Sequence, residues 1–291
     1  MYWFSKRWIK VVMIVPTLLI FSAYMVIPIG VSLYYSFTDF NGLGKARWVG
    51  LANYQALFGD ADFLISLKNS MIVFIMAVCV LLPLSFFLSL LFNRAFKGNT
   101  FVKGIAFAPN IVAPVLIGLM WVFILDPKTG LFNALLRAIG LEEHWQQEWI
   151  GGQALTPYMV GIVFIWQKLG FHATIFLSGL KMIPGEIYEA AWVDGANKWQ
   201  AMTRITLPLI RQTILINIVL AITASFKVFE LVLQLTGGGP AHVSELMVTY
   251  MYYNTFTSAR FGYGMSIAVI AFLLSAVMSF ACMQIVNKES E

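Results

Sequence analysis

Residues 188–210 read YEAAWVDGANKWQAMTRITLPLI, a polar segment between two long apolar runs. Pro184 suits the first turn of a helix, where no backbone N–H is needed, and Gly195 suits the C-terminal stop of that helix. Asn197 suits the N-cap of a second short helix, KWQAMTRI. The pattern predicts a helix–turn–helix hairpin within the loop 181–208.

The composition of the rest of the chain indicates a membrane protein. Of its 291 residues, 59% are hydrophobic and only 11% are charged, whereas a soluble domain is about 25% charged. Because the apolar runs are long and continuous rather than alternating, they predict helices and exclude a β-barrel. We predict an all-α integral membrane protein with six transmembrane helices at about 11–37, 70–92, 104–125, 157–180, 209–236 and 264–286.

The distribution of basic residues predicts the orientation. The first apolar run is too long for a signal peptide, so we expect an uncleaved first helix. If the N-terminus is inside, the cytoplasmic segments 1–10, 93–103, 181–208 and 287–291 hold ten Lys or Arg, against six in longer outer segments. This predicts an N-in, C-in topology, a cytoplasmic hairpin between helices four and five, and one permease domain over 1–291.

The loop itself leaves two interpretations open. Ala190 and Ala191 are small, so another surface can approach the backbone closely. A short helix on a rigid hairpin suits insertion into a groove of a partner. The loop is also compatible with an ordinary capped connection.

Three segments carry a resemblance to a known family. The pattern Glu189-Ala190-Ala191, Gly195 and Ile205-Thr206-Leu207-Pro208 resembles the EAA loop of ABC-importer permeases. The string LTGGGPAHVSE at 235–245, followed by YMYYNTF and RFGYG, looks like the first of the two permeases in maltose-type and glycerol-phosphate-type sugar importers. A weaker match is WVGLANYQALF at 48–58.

The resemblance implies a function for the loop. In that family it forms a coupling helix that docks in a cleft of a cytoplasmic ATPase subunit. The residues expected to take part are Glu189, Ala190, Ala191, Asp194, Gly195, Ile205, Leu207 and Pro208.

The resemblance also implies partners. These are an ATPase dimer that holds ATP and Mg, a second homologous permease that completes a heterodimer, and an extracytoplasmic solute-binding protein. The chain has no G-x-x-x-x-G-K-[ST] motif for ATP phosphates. We therefore expect it to have no catalytic residues and to bind no metal or cofactor. We expect a multi-pass subunit of a bacterial inner membrane that contacts lipid and a sugar, and no nucleic acid.

Charged residues inside the predicted spans are candidates for the solute path, because ionisable groups there are costly and usually functional. Lys227 and Glu230 are three apart, so in a continuous helix they would share a face and either pair or line the path. In maltose-type permeases the helix before the TGGGP loop contacts sugar. The predicted path is Ser225, Phe226, Lys227, Glu230, Lys168, Trp166 and His172, with Trp121 as a further stacking candidate. The cations favour an acidic solute, such as a uronate oligosaccharide or a phosphorylated polyol.

The main alternative is a secondary transporter or channel that is not powered by ATP. Such folds show inverted repeats and broken helices. The sequence indicates neither, so we expect unbroken spans and an ATP-driven importer.

Overall fold

A computed structural model of the protein describes residues 7–140, 148–152 and 155–288. The predicted cytoplasmic ends 1–10 and 287–291 therefore lie partly outside the described residues. Ordered backbone in the described part is helical, apart from one isolated antiparallel bridge between Thr38 and Trp48. The α-helices are α1 (Arg7–Phe21), α2 (Ile27–Ser36), α3 (Ala52–Phe58), α4 (Ala61–Met76), α5 (Leu82–Asn93), α6 (Asn99–Ile111), α7 (Pro114–Leu125), α8 (Leu131–Ala138), α9 (Thr156–Lys181), α10 (Gly185–Val193), α11 (Lys198–Ala201), α12 (Leu207–Leu209), α13 (Arg211–Phe226), α14 (Glu230–Leu235), α15 (Met247–Tyr252) and α16 (Phe261–Lys288).

Four helical stretches of the described chain are long and apolar enough to cross a membrane, and two bent helix pairs raise the number to six if each pair counts as one span. The bent pairs are α6 with α7, at 99°, and Lys198–Leu209 with α13, at 69°. The all-helical prediction is confirmed. The count of six and the N-in, C-in orientation stay predictions. The four continuous stretches are Val11–Ser36, Ala61–Asn93, Thr156–Lys181 and Phe261–Ile285.

The third predicted span, 104–125, is not one helix. It begins earlier, at Asn99, and breaks where Val112 and Ala113 take extended backbone angles between α6 and α7. Pro114 explains the break, because a proline pushes the preceding residue out of the helical region. The expectation of an unbroken span is wrong here.

The fifth predicted span, 209–236, is also broken. Helix α13 ends at Phe226 and α14 starts at Glu230, with no Gly or Pro between them. Tertiary packing holds α14 in place: a Cβ on Gly118 of α7 would lie 3.1 Å from the Leu231 carbonyl oxygen. The local sequence does not mark this break, and the contact with α7 holds α14 in position after it.

The core of the second half of the fold is built around α9. This helix packs against α4, α5, α6 and α13. Two of its glycines permit the closest approaches: a Cβ on Gly170 would lie 2.0 Å from the Ala106 carbonyl oxygen of α6, and one on Gly179 would lie 2.3 Å from Thr213 Oγ1 of α13. Small residues at helix contacts are typical of membrane bundles, where backbones pack closely.

The described chain forms two compact units. The first comprises residues up to Asp60 together with Met251–Phe272, and the second comprises Ala61–Tyr250 with the chain from Leu273. Within the first unit, Asn53 Nδ2 donates to the carbonyl oxygens of Ser36 and Thr38, each at 2.8 Å. This bond fixes the weakly matched segment 48–58 to the end of α2. Both candidate sites described below lie within the second unit.

Candidate functional site

The hairpin consists of α10, the turn at 194–197 and α11. Helix α10 ends in a Schellman motif: Ala196 N donates to Ala191 O at 2.9 Å and Gly195 N donates to Trp192 O at 3.1 Å. Gly195 has φ +81°, the left-handed conformation that this motif requires. The prediction of a glycine stop at Gly195 is confirmed.

The second arm of the hairpin is capped by its own side chains. Asn197 Oδ1 accepts from Gln200 N at 2.9 Å, and Gln200 Oε1 accepts from Asn197 N at 2.8 Å, which is a capping box. The predicted cap at Asn197 is confirmed. The predicted helix KWQAMTRI is only partly right, because α11 ends at Ala201 and a π-helical turn, Met202–Thr206, follows. The Tyr188 and Thr206 hydroxyls, 2.9 Å apart, tie the two arms together.

The surface of the hairpin that faces away from the rest of the chain is exposed and contains a concavity. Val193 is 87% exposed, and Glu189, Ala190 and Asp194 are exposed as well. Beside them lies a concavity of about 330 Å³ that brings together four of the predicted coupling residues. Leu207 and Pro208 lie in α12, beyond the π turn. The concavity is lined by Ala191, Asp194, Gly195, Ala196, Gln200, Arg204 and Ile205.

A second concave site lies where the broken spans meet α9. We call it the lysine cavity; its volume is about 210 Å³. Three of the predicted path residues, Lys168, Lys227 and Glu230, line it together. The other lining residues are Pro114, Phe164, Gln167, Ala224, Val228, Phe229 and Leu231.

Helix α9 holds the wall of the lysine cavity in place through two polar contacts to the broken third span. Lys168 Nζ donates to Asn110 Oδ1 at 3.0 Å, and Gln167 Nε2 donates to the Val112 carbonyl oxygen at 3.4 Å. The second contact satisfies a carbonyl that the helix break leaves without an intrahelical partner. The cavity therefore carries a cation whose position is fixed by a neighbouring span.

The remaining charges of the lysine cavity stand apart from each other. Lys227 lies in the break and Glu230 opens α14, and both side chains are exposed. The predicted shared helix face does not exist, and no ion pair joins the two residues in the part of the chain that the structure describes. With two lysines and one glutamate, the lining has a net positive charge.

The other predicted path residues lie elsewhere. Ser225 and Phe226 are buried; Ser225 Oγ donates to Ile222 O at 2.8 Å, and Phe226 packs against Phe74 with ring centroids 5.7 Å apart. His172 is buried against Asn217. Trp166 does not line the cavity and meets Trp121 edge-on at 5.5 Å.

Sequence reasoning missed several lining residues of the lysine cavity. Gln167 is a polar residue within a span and directly precedes Lys168, so the rule that singled out the charges could have found it. Asn110, which does not line the cavity but accepts the hydrogen bond of Lys168, was also missed; it lies two residues before the extended pair at the break. Phe164 and Pro114 carry no such signal, because apolar residues fill every span.

The glycine-rich loop, which is predicted to lie on the outer side, is held by hydrogen bonds from α4. Asn69 Nδ2 donates to the carbonyl oxygens of Val243 and Glu245 at 2.8 and 3.0 Å. The Met247 backbone N–H donates to Ser70 Oγ at 2.9 Å. These three hydrogen bonds fix the loop against the middle of α4.

Comparison with known proteins places the molecule. Residues 81–289 match the family model described as "Binding-protein-dependent transport system inner membrane component". The chain belongs to this family. It is a multi-pass membrane permease of an ABC-type sugar importer, as the EAA loop predicted, and of the maltose and glycerol-phosphate type, as the LTGGGPAHVSE segment predicted.

Individual relatives cover nearly the whole permease. It is 31% identical to the probable ABC transporter permease protein YurN of Bacillus subtilis (strain 168) over 283 residues, 96% of each chain. It is 27% identical to the sn-glycerol-3-phosphate transport system permease protein UgpA of Rhizobium meliloti (strain 1021), covering 97% of this chain and 94% of the relative.

A solved structure has the same fold. The permease superposes with a TM-score of 0.83 on a chain from the crystal structure of a bacterial ABC transporter involved in the import of the acidic polysaccharide alginate. Sequence identity is 25%, and the match covers 98% of this permease and 96% of that chain.

Proposed function

We propose that this permease is driven by a cytoplasmic ATPase dimer that docks on the hairpin. The observation that carries the proposal is the capping of both arms of the turn, by the Schellman motif at Gly195 and the capping box at Asn197. A turn fixed from both sides moves as one body when it is pushed. The hairpin follows α9, which bears Lys168, and leads through the π turn and α12 to α13, which ends directly before Lys227.

The remaining parts of the assembly follow from the same proposal. The six spans run N-in and C-in, so that the hairpin faces the ATPase. ATP and Mg bind to the ATPase subunits and not to this chain, which performs no catalysis. A second homologous permease completes the pore as a heterodimer, and an extracytoplasmic binding protein delivers the solute. The family description, which names binding-protein-dependent transport, supports the last partner.

We further propose that the solute is an acidic or phosphorylated sugar. Two lysines and one glutamate line the lysine cavity, and charge-assisted contacts to carboxylate or phosphate are the strong ones in a partly desolvated site. The names of the two compared transport systems, for alginate and for sn-glycerol-3-phosphate, support an anionic solute.

Reconstitution tests both parts of the proposal. The complete importer is placed in vesicles, and uptake of a uronate oligosaccharide and of its neutral analogue is measured with and without ATP. We expect uptake only with ATP and a preference for the acid. Uptake that follows an ion gradient without ATP would favour the secondary transporter or channel. ATP-driven uptake of the neutral sugar alone would refute the proposal of an acidic solute, while the proposal of ATPase coupling would stand.

A further inference from the structure

A buried hydrogen bond joins the two membrane helices that the hairpin connects. His172 of α9 is 1% exposed and Asn217 of α13 is 0% exposed, and His172 Nδ1 lies 2.8 Å from Asn217 Oδ1. The Asn217 amide nitrogen donates to the Thr213 carbonyl oxygen at 3.1 Å, so its oxygen faces the imidazole. Since an amide oxygen only accepts, the imidazole N–H is the donor.

The bond lies between the lysine cavity and the hairpin. Lys168 is one helical turn before His172 on α9, and Lys227 directly follows the end of α13. Toward the hairpin, Gly179 of α9 packs closely on Thr213 of α13. The two helices are thus in contact on the hairpin side of the bond, and on its other side both reach the lysine cavity.

We propose that the His172–Asn217 bond is a transmission contact between the hairpin and the lysine cavity. It holds α9 and α13 together, so that a displacement of the hairpin reaches both lysines as one movement. Neither residue lines the cavity, so the pair positions the site and does not bind the solute. The inference rests on the proposed function, because it takes the hairpin as the driven element.

The chemistry of the pair makes this contact selective. Both groups are buried, and removal of the imidazole leaves the Asn217 oxygen without its donor in a low-dielectric interior. Separation of the two helices, or entry of water between them, would then lower the free energy of this unpaired oxygen. With a looser contact between α9 and α13, a displacement of the hairpin would no longer move both helices, although the hairpin would still be docked on the ATPase.

The test compares His172→Leu with His172→Gln in the complete importer, reconstituted in vesicles. The measured quantity is solute taken up per ATP hydrolysed, which a merely stabilising bond would not change. We expect this ratio to fall about tenfold in His172→Leu. We expect it to be largely retained in His172→Gln, whose amide can donate to Asn217. Ser89→Ala is the matched control, because it removes a buried hydroxyl that bonds only to Phe86 O of its own helix.

Two results would overturn the transmission contact. One is an unchanged ratio in His172→Leu, and the other is an equal fall in Ser89→Ala. If His172→Leu lowers the yield or the melting temperature but leaves the ratio of uptake to hydrolysis unchanged, the bond only stabilises the fold and the proposal is likewise overturned. If His172→Leu does not assemble, Asn217→Ala removes the acceptor instead and must give the same fall. A wild-type importer that takes up solute without ATP would overturn the proposed function and not this contact alone.

Discussion

The hairpin and the lysine cavity are shaped by different kinds of information. The hairpin turn is fixed within a few residues, by a positive φ at Gly195 and a reciprocal cap between Asn197 and Gln200. The lysine cavity is lined by residues at the breaks of two spans, and α14, which follows one of these breaks, packs closely on α7. One substitution within the turn should therefore be enough to disrupt the hairpin, whereas substitutions on neighbouring helices should change the shape of the lysine cavity.

The largest effect is expected from Gly195→Asp. A side chain there meets open space, so the change places bulk and charge on the outer surface of the hairpin in an unfavourable backbone conformation. Aspartate tolerates this conformation better than most residues do. We expect uptake to fall to background while the ATPase still hydrolyses ATP, measured side by side in vesicles.

Gly98→Asp is the matched control for that variant. Gly98 also has a positive φ, of +89°, and open surroundings, but it precedes α6 and lies outside the hairpin. It should keep uptake coupled to hydrolysis. Equal losses of coupled uptake in both variants would show that the hairpin is an ordinary connecting loop.

The second largest effect is expected in the lysine cavity itself. Lys227→Gln removes an exposed cation, and a charged hydrogen bond contributes about 1.5–3 kcal/mol. We therefore expect the KM for an acidic sugar to rise roughly tenfold or more, with unchanged ATP coupling. Glu230→Gln should lower that KM, because it removes a negative charge that repels the acidic sugar. Lys128→Gln, in a turn that is predicted to lie on the outer side, is the control, and a similar change in KM there would point to a general surface-charge effect.

These expectations show what the sequence could and could not supply. Gly195 and Asn197 act on their own neighbours, so their functions in the hairpin follow from residue type and spacing. Pro184, which we expected in the first turn of α10, is instead the extended N-cap residue directly before it. Lys168, Lys227 and Glu230 were found because charge within a span is rare. The break at Lys227 was not predicted, because no Gly or Pro marks it, and the contact that holds α14 comes from Gly118, more than a hundred residues away.

A smaller effect is expected from Gly118→Ala, which tests the contact between α7 and α14. The new methyl would lie 2.7 Å from Gln234 Cβ, so α14 must shift away from α7. Overpacking of this kind costs about 1–3 kcal/mol, and solute affinity should change while the hairpin stays coupled. Gly104→Ala adds the same methyl to α6 in open space and should leave both stability and affinity intact. Thermal unfolding and binding assays compare the two.

The smallest effect is expected from Asn197→Ala. It removes the N-cap of α11 and should cost about 1 kcal/mol of stability, with a partial loss of coupling. Asn197→Ser keeps a capping oxygen and should restore most of both. Thermal unfolding of the purified importer is the readout. Indistinguishable unfolding of the alanine and serine variants would show that the cap does not stiffen the hairpin.

The most direct test of the account asks what touches the hairpin in the working importer. A photo-crosslinking amino acid replaces Val193, which is 87% exposed, or Leu43, which is 82% exposed in a predicted outer loop. In transport-active importer, the account predicts an adduct with the nucleotide-hydrolysing subunit from position 193 and none from position 43. Adducts from position 193 with lipid alone, in vesicles that still transport, would contradict it.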